Sequence, residues 1–349
     1  MKDTSCSDEA RPLGPAKRVT IRDVARAAGV SVGAASTALR DAKSTVVLAK
    51  STRERILKAA AELRYRPHAA ARAMAGQRLK TLGVLATEYC MAGAYYSTVL
   101  RSIASTVEER GYSLLLKTVR DPLDMRSASF FREQQIDGLI IPADAEQRTR
   151  DALLHFSIPH VWVNTELREP NNCVHVDEAL GVRLAMEHLI GLGHRRIGFM
   201  HHSTGEVHHA TIQREKGYVD GLRQHGLEPL PTYDQYMDIA AHVDAYLDQR
   251  PRPTALVVYS DPMAVLACNR LLQRGVRIPE DISVVGNEGV IWHLYAYKQL
   301  STVLAPVWEM GQTAVSMLIR QIETGETTPS VVLTPTFEAA ASTAPPPDA

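Results

Sequence analysis

The sequence predicts a small all-α domain with a helix-turn-helix, followed by an α/β body of two Rossmann-like lobes with parallel sheets. Three observations lead to this fold class: two short capped helices between residues 20 and 39, basic residues concentrated early in the chain, and apolar strands alternating with helices from residue 81 onward. The chain has 349 residues, enough for the small domain and a body of about 260 residues, which usually forms two lobes.

The first two predicted helices are joined so tightly that they must cross at a steep angle. Thr20 and Asp23 have capping-box spacing, and the first helix has an apolar face formed by Ile21, Val24, Ala25 and Ala28. Gly29 tolerates the left-handed conformation that ends a helix, and Ser31 is placed to cap the next helix. This arrangement is a helix-turn-helix, which places its second helix in the major groove of DNA.

A third helix is predicted after a longer loop. Ser51 and Glu54 form a second capping-box pair, and the face expected to point inward contains Ile56, Leu57, Ala60 and Leu63. Residues 43–50, between the second and third helices, are interpreted as a solvated loop in preference to a new DNA contact.

Charge separates the two parts of the chain. The 39 basic and 39 acidic residues cancel overall, but residues 17–80 contain 15 Lys and Arg against 4 Asp and Glu, whereas residues 81–349 contain 22 against 32. A basic helical domain on an acidic body is typical of a phosphate-binding module attached to a domain that does not touch DNA. The alternative, a solvated basic surface, is disfavoured by the capped helix-turn-helix in the same window.

The body alternates apolar strands with helices. Strands are predicted at Thr81–Thr87, Tyr112–Lys117, Asp137–Ile141, His160–Val163, Ile197–Met200, Ala255–Tyr259 and Ile282–Gly286, and helices at Tyr95–Arg110, Val182–Leu192, Arg214–His225 and Pro262–Arg274. Short apolar strands separated by helices indicate parallel sheets covered on both faces. The body is too long for one such sheet, so we expect two lobes.

Composition indicates the cellular compartment in which we expect the protein. The four cysteines, at positions 6, 90, 173 and 268, have no pairing or metal spacing, which favours a reducing compartment. There is no run of 18 apolar residues and no apolar signal core, so we expect a cytoplasmic protein without a membrane partner. Residues 1–17 and 344–349 have the composition of disordered tails.

Several blocks of sequence, in order and at matching spacing, resemble the LacI/GalR (lactose-repressor) family of transcriptional regulators. They are Thr20-Ile21-Arg22-Asp23-Val24-Ala25, Ala28-Gly29-Val30-Ser31, Tyr65-Arg66-Pro67, Ala70-Ala71-Arg72-Ala73-Met74, Glu187-His188-Leu189, Leu192-Gly193-His194-Arg195-Arg196-Ile197, Ile278-Pro279-Glu280-Asp281-Ile282-Ser283-Val284-Val285-Gly286 and Ser342-Thr343-Ala344. The resemblance extends from about residue 18 to 346.

The resemblance implies a domain organisation and a set of partners. Residues 18–66 would form the DNA-binding domain, 67–79 a hinge helix and linker, and 80–343 a periplasmic-binding-protein-like body that the chain crosses between lobes three times. The expected partners are a palindromic double-stranded DNA operator, a second copy of the chain, and a sugar- or nucleoside-like effector in the inter-lobe cleft. No cofactor is expected, and the Pro-rich end favours a dimer over a tetramer.

The resemblance also implies which residues contact DNA. They are Thr20, Ser31, Val32, Gly33, Ser36, Thr37, Arg40, Arg72 and Met74. The chain departs from the family where Thr37 replaces an Arg that reads guanine and Ala34 replaces a Thr that can contact phosphate. Because a bidentate Arg contributes roughly 1–3 kcal/mol of base discrimination, operator choice should differ.

Residues 67–76 resemble the hinge helix of the family, which is too short to be stable alone. Met74 would then insert between base pairs in the minor groove, and Arg72 and Arg78 would meet phosphates. The other interpretation is that Met74 packs between domains.

For the effector, the resemblance implies a set of contacts in the cleft: Tyr95, Tyr96, Asn164, Arg214, Asp261, Glu288 and Trp292. Tyr95 and Tyr96 could stack on a ligand or belong to the core. Glu288 and Gly289 replace the Asp pair of the family, which makes a common sugar ligand doubtful.

No catalytic or metal motif is recognised. His201-His202 and His208-His209 lie after a strand without Cys or carboxylates at ligand spacing, so we interpret them as loop residues. Three function classes are compared: a ligand-responsive regulator acting as repressor or activator, a solute-binding protein of a transporter, and a sugar- or nucleoside-processing enzyme. The basic domain argues against the second class, and the lack of a catalytic constellation argues against the third.

Overall fold

The structure, a computed structural model, describes residues 19–39, 48–65, 78–87, 90–91, 93–119, 135–142, 147–165, 169–201, 209–231, 238–290 and 299–347. The chain separates into two compact units, residues 1–77 and 78–349. Within the described residues, no helix has the length and apolar character needed to cross a membrane.

The first unit, called the head, contains helices α1 (Ile21–Ala27), α2 (Val32–Ala38) and α3 (Lys50–Glu62). The carboxylate of Asp23 accepts hydrogen bonds from the backbone N–H and the hydroxyl of Thr20, at 2.9 and 2.7 Å. Gly29 is left-handed with φ +61°, and the hydroxyl oxygen of Ser31 accepts from the N–H of Ala34 at 3.2 Å. The predicted caps of α1 and α2 are therefore confirmed.

The predicted start and inner face of α3 are wrong in two details. The helix begins at Lys50, and its N-cap, Ala49, makes no side-chain capping bond, so Ser51 already lies inside the first turn. Leu57 is 45% exposed, whereas Ala59 is buried. The buried face follows the steps from Ile56 to Ala59, Ala60 and the half-buried Leu63, and Leu57 lies about 100° away from its centre.

The second unit, called the body, has two lobes. In lobe one, the described strands form a six-stranded parallel sheet in the order β10-β5-β4-β3-β1-β2. These strands are β1 (Thr81–Thr87), β2 (Ser113–Val119), β3 (Gly138–Ile141), β4 (His160–Val163), β5 (Cys173–Val176) and β10 (Val331–Leu333). Helices α4 (Ala94–Glu109) and α10 (Val307–Thr324) pack on one face, and Leu153 of α5 (Gln147–His155) packs on the other.

Lobe two contains a five-stranded sheet of described strands in the order β11-β9-β8-β7-β6, parallel except for β11. The strands are β6 (Ile197–Met200), β7 (Ala255–Val258), β8 (Ser283–Glu288), β9 (Ser301–Leu304) and β11 (Thr336–Glu338). Helices α6 (Glu178–Gly191) and α7 (His209–Gln224) cover one face, and α8 (Ile239–Asp248) and α9 (Asp261–Gln273) cover the other.

The chain crosses between the lobes three times, as the resemblance implied. The crossings lie between β5 and α6, between β9 and α10, and between β10 and β11. Each lobe therefore contains segments from both ends of the body.

The end of the chain differs from the predicted tail of residues 344–349 at its first residue. The N–H of Ala344 donates to the hydroxyl of Ser283 at 3.1 Å, and its carbonyl oxygen lies 2.9 Å from Nε2 of His194. His194 is buried, and its other ring nitrogen, Nδ1, lies 2.8 Å from the hydroxyl of Thr254. Composition alone missed these bonds because the partners of Ala344 are distant in sequence.

Candidate functional site

The described head residues predicted to contact DNA lie at the start of α1 and along α2. Thr20, Ser31, Val32 and Gly33 are exposed, whereas Ser36 and Thr37, one turn further along α2, are half-buried. Val32 is a large apolar side chain that is 44% exposed, and the core of the head is formed by other residues of these helices. The start of α2 is thus exposed within the described part of the head.

Gly33 lies inside α2 without a packing reason among the described residues. A Cβ atom added there would meet only the hydroxyl oxygen of Ser31, at 3.8 Å, which is ordinary contact. Glycine inside a helix costs about 1 kcal/mol relative to alanine. A position that tolerates a side chain yet carries none is consistent with close approach of another molecule.

Helix α3 braces the turn between α1 and α2. Nε of Arg55 donates to the carbonyl oxygen of Ala28 at 2.8 Å, which satisfies a free carbonyl at the end of α1. Ile56 of the same helix is fully buried against Val24 and Ala35. These contacts fix the position of α2 within the head. The other predicted DNA contacts, Arg40, Arg72 and Met74, lie outside the described residues.

In the body, polar and aromatic residues gather where the carboxyl ends of strands from both lobes meet, the place where open α/β sheets bind ligands. Asn164 follows β4, Glu178 follows β5, Tyr259 follows β7, and Glu288 ends β8. Asn164 and Glu288 have positive φ values of 50° and 111°, conformations that non-glycine residues rarely adopt and that concentrate at functional sites.

Arg214 of α7 is the centre of this group, which we call the cleft cluster: Tyr95, Asn164, Glu178, Arg214, Tyr259, Asp261 and Glu288. Asn164 joins the cluster through Tyr96, whose hydroxyl donates to its carbonyl oxygen and whose ring packs edge-on against Tyr95. The side chains of Arg214 and Glu178 are each only 2% exposed, and Nε of Arg214 donates to Oε2 of Glu178 at 2.8 Å. Nη1 donates to the carbonyl oxygen of Tyr259 and lies 3.7 Å from Oε1 of Glu288. The guanidinium also stands over the Tyr259 ring, 4.4 Å from its centroid.

Burial and charge shift the pKa values of the cluster. Burial alone would lower the pKa of Arg214, but Glu178, Tyr259 and Glu288 raise it well above its usual value, so the guanidinium stays charged. Burial raises the pKa of Glu288 to about 8, although Arg214 opposes this shift. Groups with such perturbed pKa values concentrate at functional sites.

Asp261 is fully buried at the start of α9 and is held by three donors. Its carboxylate accepts from the hydroxyl of Thr302 at 2.6 Å, from the N–H of Gly289 at 2.7 Å, and from the N–H of Val290. Burial nevertheless raises the pKa of Asp261 to about 6. A Cβ atom at Gly286 would lie 2.3 Å from the Asp261 carboxylate, so only glycine permits this approach.

Three buried polar atoms of the cluster have no hydrogen-bond partner among the described residues: the hydroxyl of Tyr95, Oδ1 of Asn164 and Oε1 of Glu178. Burial is the largest cause of the raised pKa of the Tyr95 hydroxyl. Glu178 and Glu288 raise this pKa further, whereas Arg214 lowers it. An unpaired buried polar group costs about 1–3 kcal/mol, so such atoms usually meet a ligand, ion or water.

The predicted effector residues differ in how they are placed. Tyr95, Arg214, Asp261 and Glu288 come together. Tyr96 belongs to the core of lobe one, and its hydroxyl donates to the carbonyl oxygen of Asn164 at 3.5 Å, so it supports Asn164. Trp292 lies outside the described residues. Sequence reasoning missed Glu178 and Tyr259, although both follow the carboxyl ends of strands, a position that could have identified them.

The histidines near this cluster form no metal site in the described part of the chain, where no group of three His, Cys, Asp or Glu could hold an ion. Nε2 of His201 lies 3.8 Å from Oε1 of Glu215, and burial lowers the pKa of His201. His175 and His209 are both buried with their ring centroids 6.3 Å apart. His202 and His208 lie outside the described residues.

Comparisons with known proteins match both units. Residues 20–68 match the profile of bacterial regulatory proteins of the lacI family, and residues 186–343 match that of the periplasmic binding protein-like domain. The ribose operon repressor of Haemophilus influenzae is 30% identical over 328 residues, which cover 91% of this chain and 96% of that protein. The chain belongs to the lacI family.

Other members of this family are similarly close. The transcriptional repressor PurR of Vibrio atlanticus is 30% identical over 87% of this chain and 92% of its own length, and the regulator AscG of Escherichia coli is 30% identical over 89% and 94%. The dimeric Lac repressor bound to operator and the anti-inducer ONPF superposes with a TM-score of 0.80 at 25% identity, over 94% of this chain and all of that chain. The regulator CelR with cellobiose gives a TM-score of 0.67 at 26% identity, over 93% and 100%.

Proposed function

We propose that this lacI-family member is a ligand-responsive transcriptional repressor that binds a palindromic operator as a homodimer and a small effector between the lobes of its body. One observation carries this proposal: the same chain combines an exposed start of α2 with a buried polar cluster where two lobes meet, and this cluster is incompletely paired among the described residues. Two relatives are named repressors, which supports repression over activation.

For operator recognition, we propose that Val32 and Gly33 face base edges, with Ser36 and Thr37 one turn on. Thr20, Ser31, Arg40 and Arg72 would flank them at the backbone. Because Thr37 offers one hydroxyl where an Arg would offer a fork of donors, the site should lack one strong guanine contact. Apolar contact of Val32 with a thymine methyl group would provide part of the remaining discrimination.

We propose that effector binding is coupled to DNA binding through the three crossings between the lobes. A ligand held by residues of both lobes changes the angle between them, and this motion shifts the paired bodies and so stabilises or melts the hinge segments at residues 67–79. A coupling free energy of about 1–3 kcal/mol would change operator affinity by a factor of about five to a hundred and fifty.

We propose a cytoplasmic, non-enzymatic role without a cofactor. Two of the named relatives are repressors and the third is a transcriptional regulator, and this supports a role at DNA. The cleft cluster would hold the effector through Tyr95, Asn164, Arg214, Asp261 and Glu288, and Trp292 is proposed as a further contact.

Selection of bound duplexes from a random pool by the intact protein, at moderate salt, tests the DNA-binding proposal. We expect a palindrome with a fixed central step, because two heads related by a two-fold axis read equivalent half-sites. Sequence-blind, strongly salt-dependent binding, both alone and with cell metabolites added, would contradict specific operator recognition.

A further inference from the structure

The described residues of the cleft cluster contain more buried acid than base. Glu178, Asp261 and Glu288 face a single guanidinium, that of Arg214, and the Glu288 side chain, the most exposed of the three carboxylates, is only 15% exposed. Fully ionised, these four groups would carry two uncompensated negative charges. Uncompensated buried charge is costly, so the cluster is incomplete without a positive partner or without protons on its carboxyls.

Arg214 is largely committed to the protein. Its Nε donates to Glu178, its Nη1 donates to the carbonyl oxygen of Tyr259, and one face of the guanidinium lies on the Tyr259 ring. An anionic ligand would have to compete with Glu178 for this cation and would add a fourth negative charge beside three carboxyl groups. The arrangement therefore disfavours an anionic effector.

The buried atoms that have no partner among the described residues can be satisfied by hydrogen-bond donors of a ligand. Oε1 of Glu178 can only accept while that carboxylate is ionised, and Oδ1 of Asn164 is an acceptor as its amide is placed. The Tyr95 hydroxyl, the third such atom, can accept or donate. An ammonium group offers three donors and a positive charge, so it can bond to Oε1 of Glu178 and compensate the negative charge of the carboxylates together.

From this geometry we propose that the effector is a cation: a small molecule with a protonated amine or similar basic nitrogen seated against Glu178 and Glu288, next to Tyr95. The proposal rests on the proposed effector function of the cluster and names the class of ligand that it takes. A neutral polyol supplies donors but does not replace the proton on Glu288 with a fixed positive charge, so it is the weaker candidate.

Binding of such a cation is linked to proton release from Glu288. Among the described residues, the ionisable groups that face this carboxyl are Arg214 of α7, Asp261 of α9, Glu178 of α6 and Tyr95 of α4. Burial raises the pKa of Glu288 to about 8, so without ligand it keeps its proton near neutral pH. A cation beside it favours the carboxylate, so affinity should rise as pH increases toward 8.

Fractionated metabolites test the class of ligand with the full-length chain. A small-molecule extract of bacterial cells is divided by ion exchange into cationic, neutral and anionic pools, and each pool is tested for its effect on the thermal midpoint and on operator affinity. We expect the cationic pool alone to raise the midpoint by several degrees and to change operator affinity. Activity in the neutral or anionic pool would overturn the cation proposal and leave the proposed function standing, whereas three inactive pools would contradict both.

Three charge-neutralising variants, each made in the full-length chain, test the assigned residues. With the cationic pool as probe, Glu178→Gln and Glu288→Gln should each raise the half-saturating amount at least tenfold, whereas Glu228→Gln, an exposed carboxyl of the same lobe, should not change it. Thermal midpoints without the pool show whether each variant folds. If one of the variants does not fold, the proposal is tested instead by the response of the wild type to the cationic pool at pH 6.5 and 8.5. A response at pH 8.5 that is equal to or weaker than that at pH 6.5 overturns the proposal.

Discussion

At the scale of single residues, the Arg214–Glu178 pair links stability to ligand response. Both side chains are buried, and removing one partner of such a pair leaves the other charge uncompensated, at a cost of about 3–5 kcal/mol. Arg214→Ala should therefore lower the free energy of unfolding by about this amount and change the effector response, because Glu178 and Glu288 lose the guanidinium that holds them in place, while operator affinity without effector is retained at a temperature where the variant is folded.

Urea unfolding and operator titration with and without the active metabolite pool measure these effects. Arg270→Ala is the matched control, because Arg270 pairs with Asp244 at the surface, where both side chains are more than one quarter exposed, and its loss should change stability far less. An unchanged effector response in Arg214→Ala would remove this residue from the site.

Glu288 makes stability depend on pH. Its carboxyl keeps a proton in the native state up to about pH 8, whereas the unfolded chain releases it above about pH 4.5. Between these values the native state binds more protons than the unfolded state, so the free energy of unfolding falls as pH rises, by up to about 1.4 kcal/mol per pH unit.

Chemical unfolding of the wild type and Glu288→Gln between pH 6.5 and 7.5 isolates this contribution as the difference between two slopes. The wild-type slope should be the more negative, and Glu228→Gln should keep it. Equal slopes in the wild type and Glu288→Gln would show that Glu288 is already ionised at neutral pH.

We expect Gly33 to lower the stability of α2 and to allow close contact with DNA. Alanine at this position meets no close neighbour and should raise the stability of α2 by up to about 1 kcal/mol. If α2 approaches base edges at Gly33, Gly33→Ala should instead weaken operator binding at least tenfold. Thermal unfolding and operator titration of the same preparation test both effects, and unchanged operator affinity would place Gly33 away from the DNA.

At the scale of elements, the contact between α6 and α7 depends on a glycine. A Cβ atom at Gly217 would lie 2.4 Å from the carbonyl oxygen of Ala179, a backbone atom that cannot move aside. Gly217→Ala should therefore destabilise the body by about 1–3 kcal/mol. Gly191→Ala, at the end of α6 with no atom within 4 Å, should be neutral or slightly stabilising, and differential scanning calorimetry distinguishes the two.

Sequence periodicity was sufficient to predict the bounds of elements that have strong local signals. β1, β4 and β6 have the predicted bounds, and the caps at Thr20 and Ser31 are present. It was insufficient where pairing decides the structure: β10 has three residues and is a strand because it pairs with β5. Helix α10, which is amphipathic and packs against α4, was overlooked although its apolar spacing is visible in the sequence.

In the candidate site, the sequence likewise identified single residues but not the contacts between them. Arg214 and Asp261 could be located by the resemblance to the family, but the 2.8 Å contact between Arg214 and Glu178 could not, because the two residues come from different helices. The helical face containing Leu57 was misjudged since a single apolar residue one position from the true face does not change the local pattern.

At the scale of the whole molecule, the hinge proposal predicts how a change at Met74 alters operator binding. If Met74 unstacks a central base step in a dimeric complex, Met74→Gly should weaken specific binding far more than binding to random duplex. Met74→Leu, which keeps an apolar side chain of similar size, is the matched control and should retain specific binding. Competition titrations with both duplexes measure this, and equal losses for the two would exclude insertion.

The threefold crossing of the body also affects how the chain is made on the ribosome. The elements of the head lie within residues 19–65 and need no later segment, whereas the sheet of lobe one includes β10, which begins at Val331, and that of lobe two includes β11, which begins at Thr336. At about 5–20 residues per second, the last strands are synthesised on the order of tens of seconds after the head. A nascent chain therefore displays its DNA-reading domain before the sheet of either lobe is complete, so termination before Val331 releases a complete head on a body that lacks the last strand of each lobe.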